Sequence, residues 1–235
     1  MDFTELTKKI YYLTYEEKRD RPVLGYVNGE RFSLAVDAGG SPAHANLFYD
    51  ALYREGLALP EYTAITHWHW DHTFGMCAVS GKTVAHVNTG LRLQKMSGWA
   101  WSDSAIQERI KTGEDIFHDD VCMQAEYPHP EEICVVLPDI LFSDKVLIDL
   151  GGVHCHIMKI PSPHSDDTTA ILVQEEKVLF LGDATCPDYY NGDVYDRAEL
   201  NFMIRWLEGC NFDICVLGHC EPISKVELVD YLKTI

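Results

Sequence analysis

Short apolar runs separated by turn residues predict strands near the start of the chain. The runs Ile10–Leu13, Val23–Val27 and Phe32–Val36 are rich in β-branched and aromatic residues. Asn28 and Gly29 stand between the last two runs and favour a tight hairpin turn. This part of the chain is therefore predicted to form a meander of strands.

A helix is predicted after these strands, and further strands and helices are predicted along the rest of the chain. Ser41 suits a helix N-cap with Pro42 at the first helical position, and Gly56 suits the C-terminal end. Two later helices are predicted to begin at Asp196 and Ser224, each with a glutamate three residues on. Further strands are predicted at Tyr62–Ile65, Thr83–Val87, Val146–Ile148, His154–Ile160, Thr169–Val173, Val178–Leu181 and Phe212–Leu217. Roughly a dozen strands and about five helices indicate an α/β fold of two packed sheets with helices outside.

Residues 88–138 interrupt this pattern with helical and irregular segments. The stretch is too long for a plain connection between strands, which favours a functional insertion such as a lid or a substrate wall. A helical pair that shields a sheet edge explains it equally well. In either case we expect one domain over residues 1–235 with an insertion at about 88–138.

The charge balance narrows the classes of partner. The 235 residues carry a formal net charge of −18, which repels phosphate backbones and anionic membranes. No apolar run approaches membrane-spanning length, and Met1–Glu5 lacks the character of a signal peptide. The eight cysteines show no paired framework, which favours reduced thiols. We therefore expect a cytoplasmic protein with a small-molecule substrate and no nucleic-acid or membrane partner; its oligomeric state is open, a homodimer being one option.

The most distinctive run, Thr-His-Trp-His-Trp-Asp-His, follows the predicted strand Tyr62–Ile65 directly. Imidazole and carboxylate are the ligands that zinc prefers when thiolates are absent. His67, His69 and Asp71 alternate, so an extended backbone would point them to one side. His72 breaks the alternation, which suits a second ion beside the first. The run predicts a metal site.

Three later residues extend this prediction because each lies where a predicted strand ends. They are His164, Asp183 and His219. Taken singly, each has an ordinary explanation as a loop histidine or a turn aspartate. Taken together, ligands at the ends of neighbouring strands can converge on one site without a long flexible loop.

This order of residues resembles that of the metallo-β-lactamase superfamily. The pattern comprises His67, His69, Asp71 and His72, followed by His164, Asp183 and His219. The similarity extends from Asp37 to His219, which is nearly the whole chain. It implies a four-layer αβ/βα sandwich, with two mixed sheets flanked by helices and the metals in a cleft at one edge of the sheets.

The resemblance also implies a ligand set. His67, His69 and His164 would bind the first metal, Asp71, His72 and His219 the second, and Asp183 would bridge both. Asp37 would orient the loop without binding metal. The implied cofactors are two Zn²⁺ per chain, and the same nitrogen and oxygen donors also accept iron or manganese.

The implied activity is hydrolysis by a hydroxide that bridges the two metals, with Asp71 as the catalytic residue that orients it and moves its proton. Many exported zinc β-lactamases carry a cysteine where this chain has Asp183, which argues against antibiotic hydrolysis. A small ester, thioester, lactone or amide is the expected substrate. The alternatives are an iron-dependent oxidoreductase on the same scaffold, a phosphodiesterase, and a non-catalytic binding protein that keeps the fold.

Aromatic residues near the motif and in the insertion are candidate substrate contacts. They are Trp68, Trp70, Trp99, Trp101 and Tyr190. They favour an apolar or ring-bearing substrate, although core packing explains tryptophans equally well. Tyr189, Tyr190 and His118 are guesses for a general acid, which no motif identifies.

Overall fold

Two mixed β-sheets organise residues 1–235, which the computed structural model describes in full. The first sheet contains β1 (Phe3–Thr7), β2 (Ile10–Leu13), β3 (Leu24–Asn28), β4 (Ser33–Val36), β5 (Tyr62–Ala64), β6 (Lys82–His86) and β7 (Ile140–Phe142), in that spatial order. The second contains β8 (Lys145–Asp149), β9 (His154–Lys159), β10 (Thr169–Val173), β11 (Val178–Gly182), β12 (Ile214–Leu217) and β13 (Ile223–Ser224), also in sequence order. The helices are α1 (Pro42–Arg54), α2 (Trp70–Thr73), α3 (Val87–Met96), α4 (Asp103–Thr112), α5 (Phe117–Glu126), α6 (Arg197–Gly209) and α7 (Lys225–Leu232).

The strand directions bring several carboxyl ends together. Strands β4 to β7 run parallel to one another after the antiparallel meander β1 to β4. In the second sheet β11 and β12 are also parallel. Because parallel strands end at the same edge of a sheet, the loops after β4 and β5 lie side by side, as do those after β11 and β12.

The main core lies between the two sheets. Val27 and Val36 from the first sheet meet Ile157, Val173 and Phe180 from the second in one cluster of eighteen buried residues. The inward-facing side chains alternate along these strands, as expected where one face of a sheet is buried.

Helices cover the outer face of each sheet. Phe48 and Leu52 of α1 pack on Tyr26 of the first sheet. Leu207 of α6 and Leu228 of α7 pack on the second. The four layers confirm the predicted fold class.

Local sequence signals set several helix boundaries. Ser41 accepts a hydrogen bond from the backbone of His44 at the start of α1, and Ser224 forms a complete capping box with Glu227 at the start of α7. Asp196 caps α6 by accepting from two backbone N–H groups, without a reciprocal bond from Glu199.

Some predicted boundaries were wrong. Strand β6 ends at His86 because Val87 already begins α3, with the His86 side chain accepting from the backbone N–H of Asn88. The short edge strands β1, β7 and β13 were not predicted, because runs of two to five residues are too short to show a period. In the region 88–138 the structure has α4, α5 and most of α3 with irregular segments between and after them, which agrees with the helical and irregular segments expected there.

None of the helices combines the length and the apolar composition that crossing a membrane requires.

Replacing Ile157 by alanine should lower the free energy of unfolding by about 2–5 kcal/mol, because its fully buried side chain fills the space between the sheets. Urea denaturation would measure this loss. Leu147→Ala is the matched control on the neighbouring strand β8, where the side chain is 53% exposed, and should change the value by less than about 0.5 kcal/mol. Equal losses in the two variants would contradict the assignment of the core.

Candidate metal centre

The candidate site lies where loops from the two sheets meet. The backbone N–H of Thr169 in the second sheet donates to the carbonyl of Thr66 in the loop after β5, at 2.7 Å. The N–H of Gly218 donates to the carbonyl of Gly182, at 2.9 Å, and joins the two loops of the second sheet. These bonds hold the loops that carry the predicted ligands against each other.

Three histidines form the first ligand group. His164 Nε2 lies 3.2 Å from His67 Nε2 and 3.1 Å from His69 Nδ1, and all three residues are buried. Ligand nitrogens around a tetrahedral zinc ion are about 3.3 Å apart when each bond is about 2.0–2.1 Å. The three nitrogens therefore have the spacing of a metal site.

In neutral His67 and His164 the proton is on Nδ1, because Nδ1 is the nitrogen that donates a hydrogen bond. The Nε2 atoms therefore carry no proton. His164 Nδ1 donates to the carbonyl of Pro187 at 2.8 Å, and His67 Nδ1 lies 3.1 Å from Thr66 Oγ1. The Thr66 hydroxyl itself donates to Asp37, so it accepts from His67. In the neutral rings the Nε2 lone pairs of His67 and His164 then face each other, an arrangement that a cation relieves.

Burial keeps this group neutral. It lowers the pKa of His67 and His69 well below the usual histidine value, and the neighbouring imidazoles lower both further. Burial likewise lowers the pKa of His164. Neutral imidazoles are the form that binds a metal.

Two carboxylates and two histidines form the second group. Asp71 Oδ2 lies 3.0 Å from His72 Nε2 and 3.2 Å from His219 Nε2. Asp183 Oδ2 lies 3.3 Å from His219 Nε2, while its Oδ1 is 3.6 Å from His72 Nε2. His72 Nε2 and Asp183 Oδ1 are both buried and form no hydrogen bond. Buried polar atoms without partners are rare, and two that face each other fit a bound cation.

The carboxylates set the charge requirement of this group. Burial alone would raise the pKa of Asp71 and Asp183, but the adjacent His72 and His219 outweigh it and hold both below their usual range. Burial alone would lower the pKa of His72 and His219, yet the carboxylates raise both well above the ordinary value. The cluster therefore demands positive charge, which protons or metal ions can supply.

Asp37 orients the whole loop. Its carboxylate accepts from the backbone N–H of Thr66 at 2.7 Å, from the Thr66 hydroxyl at 2.9 Å and from His72 Nδ1 at 2.8 Å. The bond to Nδ1 directs the other nitrogen of His72 toward Asp71 and Asp183. Asp37 has the left-handed φ of 63°, a conformation that aspartate tolerates better than most residues.

The structure brings together all seven residues predicted as ligands, in two groups. The expectation that Asp71 points to the same side as His67 and His69 was wrong. The backbone becomes helical at Trp70, so the alternation of an extended chain stops there and Asp71 joins the group of His72.

Two cavities flank the centre, with volumes of about 440 and 450 Å³. His69 and Tyr190 line both. Trp68 and Trp99 line the first, beside His164. Asp71, Asp183 and His219 line the second, together with Asp20, His118 and Asp119. The cleft is thus continuous with both ligand groups.

Two of the predicted substrate contacts lie in the core instead. Trp70 packs against Phe74, and Trp101 packs on Phe74 and under the Arg109 guanidinium. Both tryptophans are buried, and neither lines a cavity. Their role is to pack the insertion against the motif loop.

The insertion brings residues to the cleft that the sequence did not single out. Arg92 and Lys95 of α3 line the first cavity, and Asp119 of α5 lines the second. Tyr190 Oη donates to Asp119 Oδ2 at 2.6 Å and so ties the loop after Asp183 to the insertion. No motif marks these residues: exposed charges such as Arg92 and Lys95 usually face solvent on a helix, and the burial of Asp119 follows from tertiary packing.

The model of the metallo-beta-lactamase superfamily matches residues 24–208, and the chain belongs to this superfamily. Members of the superfamily are mostly metal-dependent hydrolases. The match includes six of the seven ligands and ends before His219, whose place in the second group comes from the structure.

Solved structures share the fold at low identity. A metallo-beta-lactamase from Pontibacter korlensis superimposes with a TM-score of 0.65 and 16% identity, over 100% of this chain and 99% of that one. A metallo-beta-lactamase family protein from Thermus thermophilus gives 0.66 and 18%, over 98% and 80%. The sec-alkylsulfatase Pisa1 from Pseudomonas sp. gives 0.70 and 16%, over 98% of this chain and 40% of that one. Such identities show the fold alone.

Gly218→Ala should weaken metal binding although it removes no ligand, because the new Cβ would collide with Asp183 Oδ1. We expect at least about a tenfold loss of affinity at the second group, of the size seen when the support of a ligand is removed. Competition with a fluorescent chelator would measure it. Gly209→Ala, where a Cβ meets nothing within 4 Å, is the matched control. Unchanged affinity in Gly218→Ala would contradict the ligand role of Asp183.

Proposed function

We propose that the protein is a dinuclear metal-dependent hydrolase, with zinc as the metal. The observation that supports this most is the pair of buried donor groups. In the first, the Nε2 lone pairs of neutral His67 and His164 face each other at 3.2 Å, and in the second the buried carboxylates of Asp71 and Asp183 require positive charge. His67, His69 and His164 would hold one ion, and Asp71, His72 and His219 the other. Asp183, next to both groups, would bridge the ions.

When bound, two such ions lower the pKa of a water toward neutrality and polarise the bond to be cleaved. Asp71 would handle the proton of that water. Its Oδ2 makes the contacts to His72 and His219, and its carboxylate also lines the second cavity. The other oxygen, Oδ1, is left to orient the water and accept its proton.

The cleft favours a small substrate with an ester, thioester, lactone or amide bond. Each cavity has room for a small molecule only. Trp68 and Trp99 offer apolar walls on the side of the first ligand group. The second cavity is lined by five aspartates, which disfavours a polyanion such as a nucleic acid.

Protein purified without added metal should contain one to two zinc ions per chain and should cleave at least one acyl substrate from a chromogenic panel of esters, thioesters, lactones, phosphodiesters and a cephalosporin. Metal analysis and initial rates measure both. Stoichiometric iron with oxygen consumption would favour the oxidoreductase alternative. Cleavage of phosphodiesters and of no acyl substrate would favour the phosphodiesterase alternative. Full metal with no turnover on any substrate would favour a binding protein.

Asp71→Asn should lower kcat by about 100-fold or more while KM changes little, because the amide keeps the size of the side chain but cannot accept a proton. Steady-state kinetics on the best substrate of the panel would show this. Asp50→Asn, on the exposed face of α1, is the matched control for the loss of one carboxylate. An unaltered kcat in Asp71→Asn at full metal content would rule out its role in proton transfer.

A further inference from the structure

A third set of possible ligands lies beside the second cavity. His118 and Cys122 occupy positions i and i+4 of α5, so they share one face of that helix. Asp20 faces them from the end of the short 3-10 turn Glu17–Arg19, with a left-handed φ of 54° that follows from its place at the end of that turn. The three donor atoms lie within 4.8 Å of one another.

The distances match those around a metal ion. His118 Nε2 is 3.7 Å from Cys122 Sγ and 3.5 Å from Asp20 Oδ2. Donors on a tetrahedral zinc ion with one thiolate are about 3.3–3.6 Å apart, given bonds of about 2.0–2.3 Å. The two distances from His118 Nε2 thus lie within or just beyond this range, and all three donor atoms are within 4.8 Å of one another.

A nucleophilic Cys–His–Asp relay would need a different geometry. In such a relay the thiol faces one ring nitrogen and the carboxylate accepts from the other. Here both the sulfur and the carboxylate approach the same Nε2 of His118. Convergence of three donors on one point is the arrangement of ligands around an ion.

We propose that Asp20, His118 and Cys122 form a third metal site, specific for a zinc-like divalent ion. Thiolate and imidazole together favour zinc or cobalt over hard ions such as magnesium. Asp20 and His118 line the second cavity, so the remaining coordination position would open toward the cleft. Binding would displace the thiol proton of Cys122 to solvent.

A metal ion at this site would also add positive charge to the second cavity, which is lined by five aspartates. Asp20 Oδ1 lies 3.5 Å from His219 Nδ1, on the side of that ring opposite the second ligand group. An ion held by Asp20 would therefore sit one carboxylate and one imidazole away from the dinuclear centre. Its charge would partly offset the aspartates that line this cavity.

Cobalt substitution tests the site without any activity assay. None of the seven ligands of the dinuclear centre is a cysteine, so Co²⁺ there gives no thiolate-to-cobalt charge-transfer band. Titration of metal-depleted full-length protein with Co²⁺ under anaerobic conditions should give this near-ultraviolet band. The band should be displaced by Zn²⁺ and resist excess Mg²⁺.

Cys122→Ser should abolish the band and remove one bound equivalent of cobalt, while the remaining equivalents stay. His118→Ala, in which an exposed side chain is removed, should do the same without disturbing the fold. Cys186→Ser and Cys220→Ser, near the dinuclear centre, are the matched controls and should keep the band.

Absence of the band in the unaltered protein, or its loss only in a control variant, would overturn the proposal. Absence of the band leaves the dinuclear centre untouched, because its proposed ligands are nitrogen and oxygen only, whereas loss of the band in a control variant alone would add a thiolate to that centre.

Discussion

The three hydrogen bonds accepted by Asp37 fix the conformation of the loop from Thr66 to His72. Its carboxylate binds the backbone and the hydroxyl of Thr66 and the Nδ1 atom of His72. The Thr66 hydroxyl then accepts from His67, so one buried carboxylate determines the ring orientation of two ligands in different groups. Without it, the imidazole nitrogens would be free to bind protons or the backbone instead of a cation. A donor in place of either Asp37 oxygen would disturb both groups at once.

The remaining predicted ligands lie in loops that follow strands of the second sheet. His164, Asp183 and His219 follow β9, β11 and β12, and hydrogen bonds between backbone groups clamp their loops. Close packing at glycines permits this approach: a side chain at Gly182 would collide with Thr66, and one at Gly218 with Asp183. The result is a cluster in which buried carboxylates and imidazoles compensate each other only when positive charge is supplied.

The insertion is both a structural element and a wall of the cleft. Its apolar residues, among them Trp101 and Met123, belong to one buried cluster with Phe74 beside the motif. Its polar residues face the other way, so that α3 brings Arg92 and Lys95 to one cavity and α5 brings His118 and Asp119 to the other. Residues 88–138 thus contribute both to packing beside the motif and to the walls of the two cavities. The Asp20, His118 and Cys122 cluster shows how a packing helix can also carry chemistry into the cleft.

The sequence by itself determined what depends on neighbouring residues. The caps at Ser41 and Ser224 and the long buried strands are local signals, and each appears in the structure as predicted. The dense run from His67 to His72 is also a local signal, and the structure places its histidines and Asp71 in two groups of possible ligands. The later ligands His164, Asp183 and His219 were found because strand ends are recognisable and because the family pattern orders them. Only the tertiary structure decided the contacts between residues that lie far apart in the sequence. The grouping of Asp71 with His72 and His219 was already implied by the family resemblance, whereas the packing of Trp101 on Phe74 and the approach of Asp20 to α5 each join residues whose relation leaves no periodic trace in the chain. They follow from how the sheets and the insertion pack, which no local pattern encodes.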